Sequence, residues 1–209
     1  GANKALDESS IIKDKLISGD QKAVSGEVKA VKAEPKLSDE ENAAYQKMDS
    51  LVAACRDNMD DANAFAKVDE AIASFEPKFK TALCLKIGAL CEEQNRKESA
   101  EKYYKMAFSF TQSYELLEFY KRNRKFKKAL KIAQFKEKQM PDAADKAAAI
   151  IDQALIYQQL GDYKNASTCF DTVLTNYSDM YAKVEMINIQ RQKAALAIAM
   201  HDNDSAIAI

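Results

Sequence analysis

The chain has 209 residues, of which 47% are hydrophobic and 30% are charged. This apolar content is enough to bury a sizeable core, which argues against disorder over the whole length. The 31 Lys and Arg side chains nearly balance the 32 Asp and Glu side chains. The molecule therefore has no strong overall field to direct it to nucleic acid or to an anionic membrane, and we expect no nucleic-acid partner.

Few residues in the chain break helices. It contains five glycines and three prolines, whereas Ala, Lys, Leu and Glu are frequent, and this balance favours an all-α fold. No apolar run approaches the roughly 18 to 20 residues that cross a bilayer. We therefore expect helices throughout and no membrane span.

Residues 1–37 are predicted to form an N-terminal capping helix and a linker. The apolar residues of this segment are spaced as on one face of a short helix: Leu6, Ile11, Ile12, Leu16 and Ile17. Two interpretations remain open. The helix either covers the apolar end of the first repeat, as terminal repeats require, or forms a detachable segment that occupies the binding groove.

Two features bear on the cellular compartment. The chain starts at Gly1 without Met, which indicates that a natural start such as a signal peptide has been removed, and this favours an exported or periplasmic protein. The four cysteines are widely spread in a chain too long to need disulfides, so we expect free buried thiols. Free thiols favour the cytoplasm, and the compartment stays open with a lean towards export.

The first helical hairpin is predicted at residues 38–79. Ser38 and Glu41 match a capping box, in which two side chains satisfy backbone donors at a helix start. Two apolar series then follow at steps of three or four, the spacing of a buried helical face. They are Tyr45, Met48, Val52, Cys55 and Met59, then Phe65, Val68, Ile72, Phe75 and Phe79. Pro77 is expected to end the second helix.

Residues 146–178 carry the clearest repeat pattern. A small residue and an aromatic lie in the first helix, a Leu-Gly turn with an aromatic follows, and an alanine and a further aromatic lie in the second helix. These positions are Ala154, Tyr157, Leu160, Gly161, Tyr163, Ala166 and Phe170. The pattern closely resembles the tetratricopeptide repeat (TPR) family. The resemblance implies a right-handed superhelix of antiparallel helix pairs, an α-solenoid.

Weaker versions of the pattern occur on both sides of this unit. Hairpins are expected at residues 81–111 and 112–141, and a truncated one at 180–209, with a turn at His201–Asp204. The crossing alanines of the four units are Ala100, Ala129, Ala166 and Ala206. Their spacings of 29, 37 and 40 residues depart from the period of about 34 in a regular array. We therefore predict one irregular repeat domain at residues 38–209.

Repeat arrays of this kind bind partners on a concave surface, which the outward residues of each first helix form. By helical spacing these residues are Leu85, Ala89, Tyr114, Glu118, Arg122, Ile151, Leu155, Gln158 and Arg191. Family members that clamp a peptide carboxylate use Lys, Asn and Arg on these turns, whereas here the centre is apolar. The groove therefore suits an apolar peptide or an amphipathic helix. Alternatively, neighbouring repeats or a second copy of the chain cover it, which would make a homodimer.

Nine basic residues and a single acid lie between Lys121 and Lys138. The candidate basic patch in this stretch is Lys125, Lys127, Lys128 and Lys131. A solvated helix face is the simplest interpretation, and an acidic protein partner is the alternative. Interleaved aromatics are typical of nucleic-acid binding, but Tyr120 and Phe126 fall on core positions of the repeat and the whole chain is slightly acidic.

No catalytic or cofactor site is recognisable in the sequence. It lacks a glycine-rich phosphate loop and a Gly-x-Ser-x-Gly elbow, and its single histidine, His201, has no Cys or second His beside it to build a metal site. We therefore predict a non-enzymatic adaptor or scaffold that binds a protein or peptide, without metal or cofactor. The alternative is the sensor or ligand-binding region of a longer signalling protein, which a membrane anchor could tether.

Overall fold

The structure is a computed structural model that describes residues 35–207, with the side chains of residues 35–202. Nine α-helices and one turn of 3-10 helix cover most of this part of the chain, which contains no β-strand. The all-α prediction is confirmed. No helix among the described residues is long and apolar enough to cross a membrane. The capping helix predicted within residues 1–37, and most of its linker, lie outside the described residues.

Two compact units make up the described chain, residues 35–123 with α1 to α5 and residues 124–207 with α6 to α9. The helices are α1 Asp39–Asp57, α2 Ala62–Ser74, α3 Pro77–Glu93, α4 Lys97–Thr111, α5 Glu115–Arg122, α6 Phe126–Gln139, α7 Ala143–Gln159, α8 Tyr163–Asn176 and α9 Lys183–Ile207. The 3-10 turn is Ser178–Met180. Each unit encloses buried side chains of its own.

Polar side chains cap three of the helix starts. The Ser38 hydroxyl accepts a hydrogen bond from the backbone N–H of Glu41 at 3.1 Å, so α1 begins where the capping box predicts. Asp61 accepts two such bonds from the first turn of α2. Asp162 caps α8 through the N–H of Asn165 at 3.2 Å. Each cap satisfies N–H groups that the helix leaves unpaired, which stabilises it by about 1 kcal/mol.

Pro77 begins a helix instead of ending one. α2 ends at Ser74, and Pro77 lies in the first turn of α3, where its missing N–H costs nothing and its fixed φ suits the helix. Phe79 therefore belongs to α3, and the prediction that it extends the apolar face of α2 is wrong. Its ring centroid lies 5.9 Å from that of Tyr45 and 6.1 Å from that of Phe75, so this side chain links α1, the end of α2 and α3.

α3 and α4 form the most extensive helix pair of the unit 35–123. Gly88 of α3 faces Tyr104 of α4, and a Cβ at this glycine would lie 3.1 Å from the tyrosine ring. The missing side chain therefore lets the two helices approach closely. Tyr104 is fixed from its other sides by the ring of Phe119, at 5.2 Å between centroids, and by a hydrogen bond from its hydroxyl to Glu92 at 3.2 Å.

The core of the unit 35–123 draws on all five of its helices, including Leu117 and Phe119 of α5. Its fully buried side chains include Met48, Cys55, Val68, Leu83, Ile87, Leu90 and Tyr103. The buried Tyr103 hydroxyl donates to Asp69 at 3.1 Å, so its polar atom is satisfied. The cysteines of the chain are free. Three of them are buried as expected, whereas Cys169 is half-buried.

α6, α7, α8 and α9 pack in chain order in the unit 124–207, each against the next. The core is formed by Ile150, Ile151, Ala154, Ala166, Phe170, Val173, Ile189 and Leu196. α7 is buried over most of its circumference, including the polar side chains of Asp152 and Gln153. Gln153 donates a hydrogen bond of 3.1 Å to Glu137 of α6, so part of this buried polarity is satisfied.

The same turn occurs three times within residues 35–207. Asn95, Arg124 and Gly161 have left-handed backbones, with φ of 59°, 57° and 76°. Each lies five residues before a fully buried alanine: Ala100, Ala129 and Ala166. The left-handed residue reverses the chain and the alanine lets a neighbouring backbone approach. Only one of the three turns uses glycine, so Arg124 carries strain of about 1 kcal/mol and Asn95 carries less, because Asn tolerates this conformation better.

α9 runs without a break from Lys183 to Ile207. The turn predicted at His201–Asp204 is therefore wrong, because these residues continue the helix. Asn and Asp cost at most about 0.7 kcal/mol each relative to Ala in a helix, and the segment holds no Gly or Pro to stop it. The single repeat domain at residues 38–209 and its superhelical arrangement stay predictions.

Candidate functional site

A slot of about 450 Å³ lies between α1 and α3 in the unit 35–123. Its lining residues are Asp49, Val52, Ala53 and Arg56 on α1, and Lys86, Ala89, Leu90 and Glu93 on α3. Each lining residue of α1 has a counterpart on α3 that lies 37 residues later in the sequence. Both helices therefore present positions i, i+3, i+4 and i+7, which form one continuous helical face. We call this site the α1–α3 slot.

Ion pairs bridge the slot at both ends. Lys86 Nζ lies 3.6 Å from Asp49 Oδ1, and Arg56 Nη2 lies 3.9 Å from Glu93 Oε2. Because counterparts meet at both ends, α1 and α3 run in the same direction. The four side chains are 42% to 71% exposed, so each pair contributes at most about 1 kcal/mol. The pairs can therefore open at little cost when a partner brings charges of its own.

The middle of the slot is apolar. Leu90 is buried, Val52 is half-buried, and Ala53 and Ala89 are exposed. Two alanines keep the slot open, since a longer side chain at either position would occupy part of its volume. A ridge of apolar side chains from a partner helix could pack between α1 and α3 in the way that helix ridges fit grooves.

Five of the predicted groove residues lie in the unit 35–123. Ala89 lines the slot, and Leu85 is half-buried one turn before it on α3. Tyr114 is half-buried at the start of α5, and Glu118 forms an ion pair with Lys121 at 2.8 Å. Of these four residues, the structure therefore places only Ala89 in the α1–α3 slot.

Arg122, the fifth of these residues, is held by a network around the Glu92 carboxylate. Its guanidinium donates two bonds, at 2.8 Å from Nη2 and 3.2 Å from Nε. Asn123 and Tyr104 donate to the same carboxylate, each at 3.2 Å. Partial burial alone would raise the pKa of the Glu92 carboxyl, but these hydrogen bonds, chiefly that of Arg122, lower the pKa below its ordinary value. Arg122 therefore ties α5 to α3.

Four predicted groove residues lie in the unit 124–207. Ile151 is 4% exposed and Gln158 is 8% exposed, so neither side chain is accessible to a partner. Ile151 belongs to the core that also contains Ile189, and Leu155 packs half-buried against that core. Helical spacing assigned these residues to an open face, but neighbouring helices cover nearly every side of α7. Arg191 is exposed on α9.

A second surface feature lies where α6 begins. A pocket of about 350 Å³ is lined by Arg124, Lys125, Phe126, Lys127, Lys128 and Leu160. It brings together three residues of the predicted basic patch, and the fourth, Lys131, is exposed further along α6. Lys125 and Lys127 form no ion pair with any residue in the part of the chain that the structure describes. Uncompensated positive charge therefore lies beside two apolar side chains.

The α1 half of the slot was missed in the sequence. The repeat pattern becomes recognisable only from residue 81, so the earlier hairpin was predicted from its apolar period, which identifies the buried face alone. A comparison of the sequence with itself at an offset of 37 residues could have revealed the α1 wall. Asp49 and Arg56 match Lys86 and Glu93 with opposite charge at each position.

The described residues contain no group of three His, Cys, Asp or Glu side chains that could hold a metal ion. The buried cysteines are not activated. Burial raises the pKa of both Cys55 and Cys84 to about 11, and it also raises the pKa of Cys91. A thiol with a raised pKa is a weak nucleophile at neutral pH.

Comparisons with known proteins assign the chain to no family. No protein-family model matches the chain. No curated protein and no solved structure gave a match either.

Proposed function

We propose that the protein is a non-enzymatic interaction module that binds an apolar peptide or an amphipathic helix of a partner in the α1–α3 slot. The observation that carries the proposal is the alignment of four residue pairs along two parallel helices, charged at both ends and apolar in the middle. An amphipathic helix presents apolar side chains three or four residues apart, which suits such a slot. The resemblance to TPR proteins supports the same class of function.

The length of the slot limits the size of the anchor. Asp49 and Arg56 are seven residues apart, which corresponds to about 10 Å along the helix axis. Two or three apolar side chains of a partner fit this length, and each contributes about 1.5 to 3 kcal/mol when it is fully buried. Ordering of the partner offsets part of this gain, so we expect a reversible interaction with a Kd on the order of micromolar.

Charges at the two ends of the slot influence the orientation of a bound partner. The α1 wall carries an acid at one end and a base at the other, and the α3 wall carries the reverse. A partner with charges of both signs around its apolar residues can replace the two ion pairs with pairs of its own. Such charges select register and orientation more than they add affinity.

A displayed library of random peptides, selected on the purified chain, tests this proposal. Ala89→Trp fills the slot, and Ala66→Trp places the same side chain on an exposed position of α2 outside the slot as the matched control. We expect selected peptides to carry apolar residues three or four apart and to bind wild type and Ala66→Trp alike. Ala89→Trp should weaken binding about tenfold or more. Peptides that bind all three proteins equally would contradict the proposal.

A further inference from the structure

α9 carries apolar side chains on two opposite faces. Ile189 and Leu196 lie in the core of the unit 124–207, at 1% and 3% exposure. On the other side of the helix, Val184, Ile187 and Ile198 are 68%, 47% and 64% exposed. An amphipathic helix of a globular protein normally has one apolar face, which packs against the core. The outer face of α9 thus has the composition of a contact surface.

The exposed apolar residues of α9, together with Arg191, form one continuous stripe. Its members are Val184, Ile187, Arg191, Ala194, Ala195 and Ile198. They recur at steps of three and four, the spacing at which two helices pack along their length. The stripe holds three of the six large apolar side chains that are exposed in the described part of the chain. Single scattered apolar residues on a surface need no explanation, whereas apolar residues that cluster on one face are typical of an interaction surface.

We infer that the α9 stripe is the contact surface of a homodimer, in which α9 packs antiparallel against α9 of a second copy about a two-fold axis. The charges that flank the stripe support this occupant. Lys183 precedes the stripe and Asp202 follows it, and both side chains are exposed. A two-fold axis between positions 192 and 193 brings Lys183 of each copy to Asp202 of the other. A parallel pair would instead place like charges together.

The same register suits the interior of the stripe. Ile187 of one copy meets Ile198 of the other, so two exposed apolar side chains are buried together. Arg191 lies opposite Ala194, and the small side chain leaves room for the long arginine to run towards water. The stripe shares no residue with the α1–α3 slot, so the inference is independent of the proposed function.

The mass of the chain in solution tests the homodimer. Light scattering after size exclusion should give the dimer mass at about 100 µM, and the double variant Ile187→Glu, Ile198→Glu should give the monomer mass. The matched control is Thr168→Glu, Thr175→Glu, which adds the same charges at exposed positions of α8 and should stay dimeric. Circular dichroism verifies that all forms are folded. A monomeric wild type, or a dimer that survives the double Glu substitution, would overturn the inference.

A charge exchange tests the antiparallel register with surface substitutions that leave the fold intact. Lys183→Asp alone and Asp202→Lys alone should each weaken the dimer several-fold, because each creates two repulsive pairs. The double variant restores opposite charges and should return within about twofold of the wild-type dimerisation constant. Single variants that dimerise as tightly as wild type would rule out this register.

Discussion

Asp49 and Lys86 are 37 residues apart in the sequence and face each other across the α1–α3 slot, with 3.6 Å between Oδ1 and Nζ. Arg56 and Glu93 repeat the relationship two turns later with the signs reversed. Two parallel helices therefore match position by position, which creates a site that neither helix forms alone.

Replacing Gly88 by Ala should destabilise the fold. The new Cβ would lie 3.1 Å from the Tyr104 ring, which Phe119 and Glu92 hold in place. The cost of moving that ring should exceed the gain of about 1 kcal/mol in helix propensity. We expect a net loss of about 1 kcal/mol, measured by urea unfolding. A more stable Gly88→Ala protein would show that the ring is free to move.

Introducing glycine should stabilise two of the three left-handed turns, and removing glycine should destabilise the third. Arg124→Gly should raise the free energy of unfolding by about 0.5 to 1 kcal/mol, because it relieves backbone strain, and Asn95→Gly should raise it by less. Gly161→Ala should lower it by about 1 kcal/mol, and Gly161→Asn by less, since Asn tolerates this conformation better. Thermal or urea unfolding measures the stability of all four variants. Equal losses of stability for Ala and Asn at position 161 would argue that backbone strain is not the cause of the change.

Glu92 should make stability depend on pH in the acidic range. The pKa of its carboxyl is lower in the folded protein than its ordinary value of 4.5. Its stabilising effect is therefore complete above that value and is lost as the pH falls through the folded pKa. Glu92→Gln should be less stable than wild type at pH 7, with a difference that shrinks in acid. A difference that stays constant across the titration would exclude this role.

The cysteines should be nearly inert in the native protein. Burial raises the pKa of Cys55, Cys84 and Cys169 to about 11, so roughly one thiol in a thousand is ionised at pH 8. A chromogenic disulfide reagent should label far less than one thiol per chain within minutes, and all the cysteines in denaturant. Rapid labelling of a full equivalent without denaturant would indicate that a core opens readily.

Local chemistry made part of the fold predictable. Ser38 begins a helix because its hydroxyl satisfies an N–H group in the first turn, and Gly161 ends one because glycine accepts a positive φ. Pro77 was placed at the wrong end of a helix because proline suits both a first turn and the residues after a helix. The continuity of α9 through Asp204 depends on the small helix propensities of many residues, so no single residue predicts it.

The candidate site was predictable only in part. Ala89 was identified because helical spacing gives the outward face of a recognised repeat. Ile151 was assigned to the same face, yet neighbouring helices bury it, and burial depends on packing between segments distant in sequence. Val52 and the rest of the α1 wall were missed because one helix does not reveal which other helix will run beside it.

A map of where a selected peptide binds is the most direct test of the α1–α3 slot. The tightest peptide from the selection would be titrated into the ¹⁵N-labelled chain and followed by amide chemical shifts. The slot predicts changes concentrated at residues 49–56 and 86–93, and their loss in Ala89→Trp. Changes concentrated at residues 124–128 or along α9, with the slot unchanged, would contradict the proposed function.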